Sequence, residues 1–347
     1  MSKLYFVFSL IFVLSCSGDV TSDYYLAGEC GGKCYVAHDS ASFQDAVIDS
    51  AAAFSNCICL GSGLFEASVT VAKPLRLFGR KDGSTYLKSL AVTGASGVML
   101  RDFSFKNIPT DSSALYISES SVEMENISFS GISASSVFGG RGIVISGGGS
   151  EVVIRNSKVE KTDGTGILIN GAHKVTLENV TLAKCGFAAL WAQNSEDKRG
   201  YLSVSDSLLS DNGAAAVAVL GNTALEISGS TVENVRKREV MLESVGDGIV
   251  VKNPFLSEAG SVSVENSTVS GFTRAGIILD GTEGSLEAGA GFRNLSLFSE
   301  KGSFGLVVQN AVEDGTLRGG IVRNDFSSSD MKFDGELFII DTFFELP

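Results

Sequence analysis

The sequence predicts an all-β solenoid, a single elongated body of stacked parallel coils with a short capping helix at its N-terminal end. Three observations carry this expectation. A pattern of apolar, any, apolar, any, Asn/Asp/Gly, any, any, apolar recurs along most of the 347 residues. A second series of short apolar strands alternates with it. The connecting segments vary in length while the strands do not, as expected where each repeat buries its face only against its neighbours.

Composition agrees with an ordered apolar body. Hydrophobic residues make up 44% and charged residues 19%, with 40 Gly and only 4 Pro, which argues against disorder. The net charge of -13 weighs against nucleic acid and bare anionic membrane as partners. It also disfavours polyanionic glycans unless a cation or a local basic patch intervenes.

At the N-terminus, Lys3 precedes an apolar run from Leu4 to Leu14, too short to span a bilayer and suited to a signal segment. Val13, Leu14, Ser15 and Cys16 resemble the lipobox of bacterial lipoproteins, which implies lipidation of Cys16 and residues 1–16 as signal peptide. Ser17 leans towards the outer membrane or cell surface. Leu14 is a less usual residue in that motif, so an ordinary cleaved signal is the alternative. Residues 17–60 read as a cap containing Cys30, Cys34, Cys57 and Cys59. In an exported chain two disulfides are expected, with zinc as the alternative. Ser42 to Ala53 is compatible with an amphipathic capping helix. Gly63 to Gly79 then reads as the first coil, and Cys185 as a buried free thiol.

The repeat runs through Val98, Leu100, Asp102 and Phe105; Val122, Met124, Asn126 and Phe129; Val152, Ile154, Asn156 and Val159; and Val175, Leu177, Asn179 and Leu182. It continues with Leu202, Val204, Asp206 and Leu209; Leu225, Ile227, Gly229 and Val232; Val262, Val264, Asn266 and Val269; and a looser copy at Phe292, Asn294 and Leu297. Residues two apart share a strand face, so the first two apolar positions point into one interior. Asn, Asp and Gly tolerate a left-handed backbone, so the fifth position turns the chain between two strands. Stacked, these side chains are expected to form a polar ladder.

The second series pairs Leu115 with Ile117, Ile143 with Ile145, Ile167 with Ile169, Leu190 with Ala192, Val217 with Val219, Ile249 with Val251, Ile277 with Leu279 and Leu306 with Val308. The outward positions between these pairs are Tyr116, Val144, Leu168, Trp191, Ala218, Val250, Ile278 and Val307. They form an apolar stripe that something should cover. One candidate is the C-terminal tail, 326–347, docked along it or capping the last coil.

Residues 61–325 resemble the right-handed parallel β-helix family, also called the pectate-lyase-like fold. Sandwiches and propellers share the alternation, but the Asn170–Gly171 pair opens a longer loop rather than a tight hairpin. The resemblance says little about function, because the family hosts lyases, hydrolases, esterases, epimerases, tailspikes and adhesins. Its sugar-cleaving members place catalytic residues on the outward face of one sheet and adjacent loops. Here that face holds no side chain that is charged at neutral pH. A glycosidase needs two carboxylates facing one bond, and a lyase-type site is implied to need an Arg or Lys and a carboxylate-bound cation. Loop charges Asp247, Arg274 and Asp211 are the candidate catalytic residues, and Arg236, Lys237 and Arg238 form a short basic run. His173, one of two histidines, reads as a solvated turn residue. The expectation is therefore a non-enzymatic cell-surface protein that presents Trp191, Tyr116 and Leu168 to a glycan or a surface protein, without metal or cofactor. The alternative is a polysaccharide lyase, epimerase or hydrolase with a loop-built site beside the second series, calcium then being its expected cofactor.

Overall fold

A computed structural model describes residues 34–49, 56–136, 139–171, 173–195, 199–240, 243–252, 262–280, 290–298, 304–309, 315–321, 331–333 and 337–340. The signal segment, Cys16 and Cys30 lie outside the described residues.

The described strands of the coils form three parallel stacks. Stack A holds the repeat strands that precede the turn, such as Ser121–Glu125, Glu151–Arg155 and Lys174–Glu178. Stack B holds the short strands after it, such as Ser128–Ser133 and Lys158–Thr162. Stack C holds the second series from Ser113–Ser118 to Phe304–Gln309. Each strand pairs in parallel with its counterpart one coil on, in the register expected from the repeat: Val152 lies beside Val122 and Val175, and Ile154 beside Met124 and Leu177. These inward side chains make one continuous core.

The turn residues show why the pattern holds. Asp102, Asn126, Asn156, Asn179, Asp206 and Asn266 have φ between 49° and 63°, and Gly229 has 58°. An ordinary L-residue pays roughly 1–2 kcal/mol for that conformation. The polar ladder forms in part: Asn126 Nδ2 donates to Asp102 Oδ1 at 3.0 Å and Asn179 Nδ2 to Asn156 Oδ1 at 2.8 Å. A second left-handed corner follows five residues later, at Asn107, Gly131, Lys161, Lys184, Asp211, Asn234 and Gly271. The looser last copy does not split into two strands. Ala290–Phe298 is continuous and pairs with both stack A and stack B.

Just after the first corner, the inward position is apolar in some coils, at Phe103, Ile127 and Val180, and a serine in the others, at Ser157, Ser207, Ser230 and Ser267. Each of these serines is buried and donates to the carbonyl two residues earlier. All four also accept a backbone N–H from the preceding coil, as Ser207 Oγ does from Val180 N at 3.0 Å. Buried hydroxyls are thereby satisfied.

At the N-terminal end, Tyr35–Ala37 and Cys57–Leu60 already belong to stack A. The capping helix is Ser40–Asp49, starting two residues before the expected Ser42. Asp39 sets that start: its carboxylate accepts from Ser42 N while its own N–H donates to Ser42 Oγ, a reciprocal cap. The expected far end, 50–53, lies outside the described residues. Phe43 closes the first coil edge-on to Phe65, with ring centroids 5.9 Å apart. Cys34 is bonded to Cys57, and Cys59 is also disulfide-bonded. Cys185 is a buried free thiol that burial pushes up to about 11.

At the other end, Leu337–Ile340 pairs antiparallel with the last strand of stack C, and Met331–Phe333 with the last of stack A. The described tail strands thus extend sheet edges at the last coil rather than lying on the stripe.

Candidate functional site

The outward row of stack C is continuous: Tyr116, Val144, Leu168, Trp191, Ala218, Val250, Ile278 and Val307 are successive register partners. Tyr116 is exposed and Leu168 and Trp191 are half-buried, whereas Val144 and the row from Ala218 onward are buried. Trp191 is held by the Phe187 ring, with centroids 5.0 Å apart, and its Nε1 donates to Gln193 Oε1 at 3.3 Å.

Both margins of this row are polar. At the ends of the strands, Gln193 Nε2 donates to Asn170 Oδ1 at 3.2 Å, and Lys252 Nζ lies 3.4 Å from Asp280 Oδ2. At their beginnings sits Asp247, which a flanking Gly on each side makes look like a loop residue. It is instead the first residue of Asp247–Lys252, beside Ala215, which in turn pairs with Ala188. Gly248 makes this packing fit, since a Cβ there would stand 2.4 Å from the Gly276 carbonyl oxygen of the next coil.

Asp247 is 2% exposed and receives Arg274 in a two-point grip, Nε to Oδ1 at 2.8 Å and Nη2 to Oδ2. Burial raises its pKa above the ordinary Asp value, while Arg274 pulls the other way. The Arg274 side chain is 38% exposed, so the guanidinium is the member of the pair that meets solvent. Asp247 acts as its anchor.

The basic run lies next to this pair. Arg236 N–H bonds to Asn212 O at 2.7 Å. Lys237 Cα would be 3.4 Å from a Cβ on Gly246. Arg238 opens an antiparallel hairpin, Arg238–Val240 with Glu243–Val245. Its guanidinium donates to Gly186 O and sits 5.7 Å over the Phe187 ring. A local basic patch thus flanks the sheet despite the acidic chain.

The remaining candidates separate from this cluster. Asp211 occupies the second left-handed corner, with φ 56° and its N–H bonded to Glu233 O, which is a turn role. His173 is not solvated: it is 4% exposed, its Nδ1 accepts from Ser150 N at 3.2 Å, and Nε2 faces Asn170 O at 3.0 Å. Burial lowers its pKa. It is a core hydrogen-bonding residue that the polar loop sequence around it disguises.

No group of three or more His, Cys, Asp or Glu among the described residues is placed to hold a metal ion. Of the carboxylates flanking the stripe, Asp247 and Asp280 are each paired with a cationic side chain. Among the described residues, no acidic cluster of the kind that holds calcium lies beside the stripe.

Residues 89–253 match the model of a family described as the right handed beta helix region. The chain is a right-handed parallel β-helix. No curated protein matches the sequence. Among solved structures, this β-helix is similar to the alginate lyase of Paenibacillus sp. strain FPU-7, at 13% identity and a TM-score of 0.50 over 79% of this chain and 97% of that one. It is also similar to a mannuronic acid specific polysaccharide family 6 lyase from human gut microbiota, at 10% identity and 0.43, over 78% of each chain. A third is the GH87 α-1,3-glucanase catalytic unit of Streptomyces thermodiastaticus strain HF3-3, at 12% identity and 0.40, over 81% and 64%. At these identities the likeness is one of fold.

The expectation of a non-enzymatic surface protein is corrected. It rested on an outward face without charged groups, but both margins of that face carry ion pairs, and the fold is shared with an alginate lyase.

Proposed function

We propose that this β-helix is an enzyme acting on an acidic polysaccharide, whose uronate carboxylate pairs with Arg274 as in a lyase or an epimerase. The observation that carries the reading is the Asp247–Arg274 pair, an exposed arginine side chain anchored from behind at the margin of the outward row. Arg cannot lose its proton in a protein, so it suits charge pairing with a carboxylate rather than proton abstraction. Pairing a uronate carboxylate with a cation makes the neighbouring C–H more acidic and stabilises the carbanion-like transition state. Arg236, Lys237, Arg238 and Lys252 add positive charge around the same face, which offsets the repulsion of a polyanion by a chain of net charge -13.

Hydrolysis fits less well. Asp280 stands beside Lys252, at the opposite end of its strand from the Asp247 side, which puts the two carboxylates roughly 16 Å apart at about 3.3 Å per residue. Paired glycosidase carboxylates stand about 5–10 Å apart. The disulfide supports export to an oxidising compartment, and the lipobox-like run ending at Cys16 supports a lipid-anchored envelope location.

The test is incubation of the protein with acidic and neutral polysaccharides, with and without calcium, following chain length, C5 configuration and the ultraviolet absorbance of unsaturated uronate ends. Conversion of an acidic polymer that falls at least 100-fold in Arg274→Ala supports the proposal. Turnover of neutral glucans alone, or of none, overturns it.

A further inference from the structure

The charge carried by stack C is concentrated on two neighbouring strands. In the strands from Ser113–Ser118 to Phe304–Gln309, the charged residues other than Arg141 are Asp247, Lys252 and Asp280, on Asp247–Lys252 and Ala275–Asp280. These two strands pair with Val250 beside Ile278 and Lys252 beside Asp280. Residues two apart share a face, so Lys252 and Asp280 point outward with Val250 and Ile278. The strands are bridged at both ends in the same sense. At the beginning, buried Asp247 holds the Arg274 side chain, which is 38% exposed. At the end, Asp280, whose side chain is 6% exposed, stands 3.4 Å from Lys252 Nζ, and the Lys252 side chain is 46% exposed. Other pairs of this molecule differ: in Lys174–Glu151 and Arg155–Glu178 both members are exposed. Arg101–Asp102 also buries its acid, but Asp102 is a corner residue that accepts from Asn126. Burying a carboxylate costs desolvation that pairing recovers only in part, so two such acids on adjacent strands, each presenting a cation to solvent, serve position more than stability.

We infer that these two strands take an acidic segment of a polysaccharide at two of its carboxylates, one on Arg274 and one on Lys252. This rests on the polysaccharide-acting reading above and adds a substrate class to it, glycans whose uronates recur within a few units. Lys252 stands five residues from Asp247 along one strand, about 16 Å at 3.3 Å per residue. One sugar cannot reach both cations, whereas a short run of them can. Val250 and Ile278, between the two ends, are apolar and bring no competing charge. The segment therefore lies along the strands, across the long axis of the helix. Because both protein carboxylates are buried behind their cations, an approaching polyanion meets positive charge first.

The experiment compares oligouronates with oligomers of the same length in which every carboxylate but one has been reduced to the alcohol, turnover being followed as above. The natural protein should prefer the fully acidic oligomers in kcat/KM. Lys252→Gln should narrow that preference about tenfold, the worth of one contact to a charged group, and Lys252→Arg should keep it. A natural protein without the preference, or a preference that survives Lys252→Gln, overturns the inference. So does a preference lost equally in Lys252→Arg, since the effect then lies in the packing of Asp280 and not in the charge. In each of these outcomes the enzymatic reading stands if Arg274→Ala still removes turnover of both kinds of oligomer. Absence of turnover of every acidic polymer overturns that reading and this inference with it.

Discussion

Arg274 reaches back one coil to hold Asp247, Nε to Oδ1 at 2.8 Å, and only the arginine is substantially exposed. That asymmetry sets the outcome of breaking the pair. Arg274→Ala strands a buried carboxylate and costs about 3 kcal/mol. Asp247→Ala puts alanine where Ala188 and Ala215 already stand in the same row, and leaves an arginine that solvent can reach, so its cost stays within about 1 kcal/mol. Denaturant unfolding of the two variants checks the order. Asp247→Ala should nonetheless lose most activity, since the guanidinium loses its anchor.

The same pair has a pH signature. Burial raises the folded-state pKa of Asp247 above the unfolded value, and removing Arg274 takes away the influence that lowers it. A raised carboxylate pKa favours the folded state at low pH and costs stability as pH rises through the folded pKa. The deficit of Arg274→Ala should therefore shrink as pH falls from neutrality towards 4. A deficit that stays constant would mean that the carboxylate finds another cation.

His173 behaves in the opposite sense. Its folded pKa is lowered by burial, so the unfolded chain takes up a proton that the folded chain refuses. The stability this contributes is complete above the unfolded pKa, about 6.5, and is lost as pH falls below it. Unfolding free energy measured from pH 8 to pH 5 should fall more steeply in the natural protein than in His173→Gln, where no proton is taken up. At pH 8, His173→Ala leaves Ser150 N–H without its acceptor and costs about 1–3 kcal/mol.

The first corner of the coil was legible in the sequence because its backbone demands Asn, Asp or Gly, and those types recur at fixed distance from apolar pairs. The second corner was not, because Lys161 and Lys184 occupy the same left-handed conformation as Asn107 and Asn234, and lysine does not advertise it. The outward row from Tyr116 to Val307 followed from alternation alone. The margin did not: Gly246–Asp247–Gly248 has the composition of a turn, and only pairing with Ala215 from the preceding coil makes Asp247 a strand residue. His173 was misread for a related reason, since its partner Ser150 N lies 23 residues away.

The corner itself can be tested at Asn179, where φ is 52° and Nδ2 bonds to Asn156 Oδ1. Asn179→Ala loses the ladder bond and takes on backbone strain, so about 1–2 kcal/mol is expected. Asn179→Gly loses only the bond and regains backbone freedom, as Gly229 does naturally in the same position, so its cost should be well under 1 kcal/mol. Equal losses in urea melts would place the stabilisation in the side-chain ladder instead of the backbone.

The inward register is the premise beneath all of these, and adjacent residues test it. Leu177 is fully buried between Ile154 and Val204, whereas Thr176, half-buried, faces outward between Val153 and Ser203. Leu177→Asp puts an unpaired carboxylate into the apolar core and should cost several kcal/mol. Thr176→Asp leaves the charge at the surface, close to Lys174 two residues back on the same face, and should change stability by no more than about 0.5 kcal/mol. Because a strand has a period of two, a slip of one residue would exchange these outcomes. Circular dichroism melts of the two variants therefore decide between the observed register and its mirror, and equal tolerance at both positions would be incompatible with either.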